Sequence, residues 1–341
     1  QIRSTQPLSK NENISFVLSF SNGTFKKAPL SSSTILLYIA LACIWVLLPT
    51  LIIVYVFSRY WKFGRDPKGK GVIVPQYQAP KDMSVLASAM VLDEKLKTQA
   101  ITASILDLGI KKYLKIHETE DKHYELELVA DTSKLCDEER EIITILFDVN
   151  PSIGATIDLQ AHKNKFYSFM SLLLLKTEKA VVAKSLFHTE PSKARKKYYT
   201  LGTIMLGANF LAFFTPIVLL LTGAFIIPGV IVLLLANKMP ARTLDGVEMR
   251  DYLLGIRDYM NLAEKDRIKM LQTPEGAEKK RTTDKKQLVI LYEKLLPYAV
   301  LFGLEKEWSK VLADLYTQPP SWYDGRTAFN SAVFASNIGS F

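Results

Sequence analysis

The chain has 341 residues, 48% of them hydrophobic and 23% charged, with a formal net charge of +9. That length fits roughly two or three structural units, and the balance suits soluble parts joined to membrane spans better than a transporter-like bundle. Cys43 lies in an apolar run and Cys136 in a polar one, which excludes a disulfide framework and leaves two packing thiols.

The chain opens on Gln1 with no signal-peptide pattern, which reads as a processed or trimmed product. In NISFVLSFSNGTF, Ile14, Phe16, Leu18 and Phe20 alternate with other residues up to the Asn22-Gly23 turn, a strand pattern. A lone strand does not stand in water. Residues 1–32 therefore read as the end of an extracytoplasmic β domain. Residues 33–57, Ser33 to Phe57, carry no charge and suffice to cross a hydrocarbon core of about 30 Å, which takes about 20 helical residues. Arg59, Lys62, Arg65, Lys68 and Lys70 follow, opposed only by Asp66, and mark the cytoplasmic side. Tyr60 and Trp61 stand where an interfacial aromatic belt belongs. Residues 58–81 read as a basic juxtamembrane linker, kept extended by Pro75 and Pro80.

Residues 82–192 read as a globular region. Ser84 is the expected N-cap of a helix over Val85–Leu92, and Thr98 that of a second. The second carries Ala100, Ile101, Ala103, Ile105, Leu106 and Leu108 on one face and ends near Gly109. YLKIHE and HYELELV follow as strands joined by TEDK. Helix, helix, hairpin is a winged-helix-like order, with Ile101, Ile105 and Leu108 packing on Leu114, Ile116, Leu126 and Leu128. DEEREIITILFDV predicts a helix with an acidic first turn, which suits the helix dipole. ATIDL is short and extended. Gln160 to Phe187 predicts a long helix with Phe166, Phe169, Met170, Leu173 and Leu174 at core spacing.

Lys193, Arg195, Lys196 and Lys197 precede Tyr198–Asn237, forty residues without charge. As one helix these would reach about 60 Å, twice the hydrocarbon thickness. Residues 198–237 therefore read as a hairpin of two spans that turns within Thr215–Gly223. Lys238 and Arg242 keep both flanks on the inside. With residues 33–57 this gives three transmembrane helices, the N-terminus outside and the C-terminus in the cytoplasm. Residues 238–325 predict a helical segment, with Val247–Leu271 and Leu288–Leu315 separated by PEGAEKKRTTDKK, the second helix interrupted near Pro297 and Gly303. QPPSWYDG reads as a turn-rich connector and residues 326–341 as a low-order tail.

GRDPKGKG lacks the spacing of a phosphate loop and does not lie between a strand and a helix. It reads as a linker that attracts anionic lipid, with Arg59, Lys62, Arg65, Lys68, Lys70, Lys196 and Lys197 as headgroup contacts. Alternatively, Arg65 and Asp66 form a fixed turn that docks the soluble region. His117, His123, His162 and His188 show no ligand spacing, although His117 and His123 flank the hairpin turn. No catalytic residue, metal site or cofactor motif emerges, so the reading leans away from an enzyme. The spans hold no ionisable side chain, which disfavours a transporter. Asn209 is their one strongly polar group, expected to bond across to Thr222. Lys81–Ser192 carries 14 Lys+Arg against 18 Asp+Glu, net −4, and Thr98–Asp107 has no Lys or Arg. Both features weigh against DNA.

GRDPKGKGVIVPQYQAP, DEKLKTQAITASILDLGIKKYLKI, ARTLDG and LPYAVLFGLEKEW together resemble the bacterial membrane-protein family catalogued as domain of unknown function 2207. The resemblance covers most of residues 60–325 with the motifs in order. It implies an extracytoplasmic β domain, one span, a cytoplasmic helical region, a two-span hairpin and a C-terminal cytoplasmic helical segment. It brings no established reaction and no catalytic residues. Only the last piece of the outer domain falls in this chain, and the glycine-rich tail common in the family is absent. The resulting expectation is a mainly α, multi-pass protein of the bacterial plasma membrane. It would act as a scaffold or signalling adaptor with anionic lipids and an unidentified protein as partners and homo-oligomerisation left open. A membrane-anchored DNA-binding regulator, or a lipid-handling or enzymatic role, is the alternative.

Overall fold

The computed structural model describes residues 7, 9, 10, 16–22, 24, 30–119, 123–149, 151–159, 163–211, 223–262, 285–316 and 320–325. The protein is mainly helical and builds two hydrophobic cores, one of three apolar helices and one of a larger body.

The expected first strand does not appear at residues 16–21, which carry no strand structure and expose Phe16, Leu18 and Phe20. Among the described residues no strand pairs with this segment, and pairing is what makes a strand. Helix α1 (Ser32–Phe63) is 32 residues long and is long and apolar enough to cross a membrane. It runs six residues past the expected end at Phe57, so Arg59 and Lys62 ride on the helix itself. Gly64 is its C-cap, its N–H donating to the Tyr60 carbonyl.

Helix α2 (Val85–Asp93) starts as expected, with the Ser84 Oγ accepting from the Ala87 N–H at 3.1 Å. Glu94 ends it in the left-handed region at φ 56°. Helix α3 (Thr98–Ile110) corrects one expectation, because Lys97 occupies the cap position and makes no side-chain cap bond, while Thr98 is already helical. Its expected face is buried, but so are Thr102, Ser104 and Gly109 on the other faces. Strands β1 (Leu114–Glu118) and β2 (Tyr124–Leu128) pair antiparallel with Leu114 opposite Leu128 and Ile116 opposite Leu126. These apolar pairs lie in one core with Ile101, Ile105 and Leu108.

Helix α4 (Asp137–Phe147) has the expected acidic first turn. Three of its carboxylates are nevertheless buried and paired. Ser84 Oγ donates to Glu138 at 2.7 Å, Lys111 meets Glu139 at 2.7 Å and Lys176 meets Glu141 at 2.5 Å. Strand β3 (Thr156–Asp158) joins β2 antiparallel. Helix α5 (Lys163–Ala183) buries Leu173, Thr177 and Val181, a stripe of spacing four, with Met170 and Leu174 half-buried beside it. Phe169 stands one turn before Leu173 on the same spacing but is exposed, so the buried stripe begins only at Leu173, which corrects the expected place of Phe169 in the core. The side chain of Phe166 lies outside the described residues. The helix stops before Phe187 because Ser185 turns the chain at φ 58°.

Helices α6 (Pro191–Leu211) and α7 (Gly223–Ala236) pack closely on each other, and α7 packs on α1, with one apolar core drawing on all three. Their crossing needs Gly202, where a Cβ would come within 2.7 Å of Leu233 and 3.2 Å of the Gly229 carbonyl. All but the last residue of the expected hairpin turn, Thr215–Gly223, lies outside the described residues, and Gly223 begins α7.

Helix α8 (Leu244–Asn261) starts earlier than Val247 because Thr243 caps it, accepting from the Gly246 N–H at 3.0 Å; residues 263–284 lie outside the described residues. Helix α9 (Lys285–Phe302) passes through Pro297 instead of breaking there. Buried Leu295, Leu296, Tyr298 and Ala299 on both sides hold it across the lost hydrogen bond. The expected break at Gly303 is present, at φ 70°, before helix α10 (Glu305–Leu315). QPPSWYDG is more than a connector. Its Tyr323–Asp324 forms strand β4, parallel to β1, with the Ile116 N–H donating to the Trp322 carbonyl at 2.9 Å. The sheet order is β3-β2-β1-β4. Helices α9 and α10 and strand β4 thus share one core with α2, α3 and α4.

Candidate functional site

Three chain segments that leave the apolar helices meet beneath one end of them. Gly64, just past α1, packs on Tyr60 and on Met239, just past α7. Two residues beyond Gly64 stands Asp66. Arg242 lies between α7 and α8, held by a bridge to Phe187. Arg195 is in the second turn of α6, and Glu94 caps the end of α2.

Arg242 is the hub, with its side chain only 5% exposed. Its backbone N–H donates to Asp66 Oδ1 at 2.8 Å. Nη1 donates to Asp66 Oδ2 at 2.8 Å and to Glu94 Oε1 at 2.7 Å. Nε and Nη2 reach the Val91 and Leu92 carbonyls at 2.7 and 3.1 Å, and the guanidinium lies 5.6 Å from the Phe187 ring centre. Arg195 adds bonds to the Glu94 carbonyl at 2.9 Å and carboxylate at 3.2 Å. Arg250 on α8 reaches Asp66 at 3.1 Å and Asp251 at 3.1 Å. Three arginines therefore face three carboxylates, and the planar fork of arginine makes such multiple contacts where an ammonium does not.

The segment after Asp66 is also docked. Gln76 donates its N–H to the Gly255 carbonyl at 3.0 Å, and Tyr252 donates to the Gln78 carbonyl at 3.0 Å. A Cβ on Gly255 would stand 2.2 Å from the Val74 carbonyl oxygen, so the chain lies directly on α8 there. Of the expected 58–81 linker, residues 58–63 are the end of α1, and residues 64–80 carry no helix or strand but form a strap fixed to α8.

Of the two residues expected to form a docking turn, Asp66 docks, whereas Arg65 turns away, 4.5 Å from the Trp61 ring. Lys62, Arg65, Lys68, Lys70, Lys196 and Lys197 are exposed. Lys62 and Arg65 at the end of α1, Lys196 and Lys197 at the start of α6, and Lys238 after α7 surround one end of the three-helix bundle. Arg59 is half-buried over Phe63, 4.2 Å from its ring centre, and Lys70 meets Glu248 at 3.2 Å. Asn209 donates to the Met205 and Leu206 carbonyls of its own helix, and Thr222 lies outside the described residues. Asp66, Glu94 and Arg242 stand in strings that carry no pairing signal in the sequence, and Arg250 stands in none of them. What the sequence shows of the three is charged letters inside GRDP, DEKL and ARTLDG.

The family model for the C-terminal domain of the predicted membrane protein DUF2207 matches residues 74–312, more than two thirds of the chain. The chain belongs to the DUF2207 family. No curated protein and no solved structure matches it. In this DUF2207 protein the match takes in Glu94, Arg195, Arg242 and Arg250, and it starts after Asp66.

A second buried polar group joins α3, α4 and α9 of the DUF2207 body. Lys111 lies 2.7 Å from both Asp107 and Glu139. Burial pushes the Asp107 carboxyl up, and Lys111 offsets only part of that. Burial pulls Lys111 down, but the Asp107 and Glu139 carboxylates outweigh it and hold the ammonium above the ordinary lysine value. Burial raises the Tyr298 hydroxyl, with Asp107 adding to the effect and a hydrogen bond to Ser88 opposing it. A raised Asp107 means the folded state holds a proton that the unfolded state has lost, above pH about 4. The corresponding stability is fully present below that pH and drains away as pH rises through the folded value. Denaturation midpoints of wild type relative to Asp107→Asn should therefore fall with rising pH in that window.

Burial, together with Glu139 and Glu138, raises the Cys136 thiol, which suits an inert thiol rather than a nucleophile. His117 Nε2 lies 2.9 Å from Glu127 and Nδ1 lies 3.5 Å from Asp324. Among the described residues no group of three or more His, Cys, Asp and Glu side chains could hold a metal ion.

Proposed function

We propose that this DUF2207 chain is a non-enzymatic membrane adaptor whose clamp carries motion or force between its membrane helices and its soluble body. The observation that supports this reading is the convergence of Asp66 and Glu94 on Arg242, with Arg195 also reaching Glu94. One network thereby ties the exits of α1 and α7 and the entry of α6 to α2. We read α1, α6 and α7 as three spans, with the N-terminus outside and the body in the cytoplasm of a bacterium. The apolar core they share supports this, as does the ring of exposed cations at one end, which by the positive-inside rule marks the cytoplasmic face. Those cations fit anionic lipid headgroups. The order α2-α3-β1-β2 keeps the winged-helix-like reading, but α3 is buried on most sides, which favours a protein partner over a DNA groove.

Two measurements test the proposal. In a background lacking Cys43 and Cys136, single cysteines at Asn22 and Asp324 should label from opposite sides of the membrane; same-side labelling overturns the three-span topology. Spin labels at Lys62 and Glu248 of the reconstituted chain should give a narrow distance distribution that broadens in Asp66→Asn. A distribution unchanged by that substitution would remove the clamp as the coupling element.

A further inference from the structure

Gly64 marks the end of the three-helix bundle through its packing on Met239. Eight residues farther on, the strap exposes three successive β-branched apolar side chains. Val72 is 71%, Ile73 38% and Val74 58% exposed. Such a run is costly in water, at about 25 cal/mol for each Å² left uncovered. It is not a loose linker, because the Val74 carbonyl lies against Gly255 and Gln76 is bonded to it, so the apolar side chains stand outward on a fixed support. Lys68 and Lys70 precede the run and are exposed, and Lys70 pairs with the half-exposed Glu248.

We propose that residues 68–74 lie in the headgroup layer of an anionic bilayer, with Val72, Ile73 and Val74 at the acyl boundary and Lys68 and Lys70 among the lipid phosphates. The proposal rests on reading α1 as a span. Eight residues reach at most about 26–29 Å, so the tether from the end of α1 keeps the run near the membrane surface that the span defines. Apolar side chains beside basic ones are the pattern of an interfacial segment. Each cation held near an anionic surface contributes about a fivefold gain in partitioning. A protein partner would have to cover the same patch while meeting two cations, and the strap itself offers no carboxylate beyond Asp66, which is already taken by Arg242 and Arg250.

The test uses the full chain, lacking Cys43 and Cys136, in phosphatidylcholine vesicles with and without phosphatidylglycerol. Spin labels are placed singly at Ile73→Cys on the strap and at Leu47→Cys inside α1. Collisions with oxygen and with a water-soluble nickel complex are then compared. With phosphatidylglycerol, the label at 73 should read as shallow lipid. Nickel access there should rise severalfold when phosphatidylglycerol is omitted or when Lys68→Gln and Lys70→Gln are combined. A label in lipid at 47 but in water at 73 overturns this inference and leaves the span reading standing. Water at both positions overturns both. Protection at 73 that persists without phosphatidylglycerol and grows with protein concentration shows a protein contact, and it too overturns the inference.

Discussion

Arg242→Met should destabilise the folded chain by about 3 kcal/mol, at the lower end of the roughly 3–5 kcal/mol expected when one partner of a buried ion pair is removed. The arginine closes five hydrogen bonds at once, to two carboxylates and two carbonyls. The backbone bond to Asp66 survives the substitution, but the four side-chain bonds are lost. Asp66 then keeps Arg250 and Glu94 keeps Arg195, which is why the loss sits at the low end of the range. The Val91 and Leu92 carbonyls lose their donors, and unmet buried acceptors cost about 1–3 kcal/mol each. Arg242→Lys should recover little, because one ammonium has three donors and no planar fork to span both carboxylates. The measurement is the urea midpoint of the detergent-solubilised full chain at constant slope. A shift worth less than about 1 kcal/mol would mean that the cluster is hydrated and the clamp is not a structural hub.

Local patterns were readable because they act between near neighbours. The Ser84 cap, the alternation in the β1-β2 hairpin, the acidic start of α4 and the turn at Gly303 are each set within a few residues. The clamp was not readable for the opposite reason. Arg242 and Asp66 stand 176 residues apart, and no spacing rule relates them; only the packing of α7 beside α1 does. Strand β4 was hidden in the same way, since Pro319, Pro320 and Gly325 give QPPSWYDG a turn signature, while β1 supplies the edge that orders Tyr323 and Asp324. Phe169 failed by position along the helix rather than by face: it continues the stripe of Leu173, Thr177 and Val181 one turn toward the start of α5, where the side chain is exposed. The resemblance motifs sort physically into two places. GRDP, DEKL and ARTLDG build the clamp, whereas LPYAVLFGLEKEW lies along α9 and α10 in the core that α3 shares.

Trp308→Ala tests that shared core. Helix α10 is 11 residues long, too short to persist by itself in water. It is held by Trp308, 1% exposed, whose ring centre lies 5.0 Å from that of Tyr292 and whose Nε1 donates to the Tyr292 carbonyl at 3.1 Å. Truncation should cost about 3–5 kcal/mol, the range for a buried tryptophan. The loss should spread beyond α10. Tyr292 is on α9, which packs along α3, and Glu293 on the next position accepts from Tyr316 and Trp322 at 2.7 and 3.2 Å. Trp322 in turn receives the Ile116 N–H of β1. Amide exchange should therefore accelerate at Ile116 and at Ile105 and Leu106 of α3, although these lie some two hundred residues away in sequence and in a different predicted segment. If residues 82–192 and 238–325 were separate units, the same substitution would release α10 and leave the amides of α3 protected. Unchanged protection at Ile105 and Leu106, with exchange speeding up only after residue 285, would split the body into two cores and detach the C-terminal helices from the one that carries Glu94.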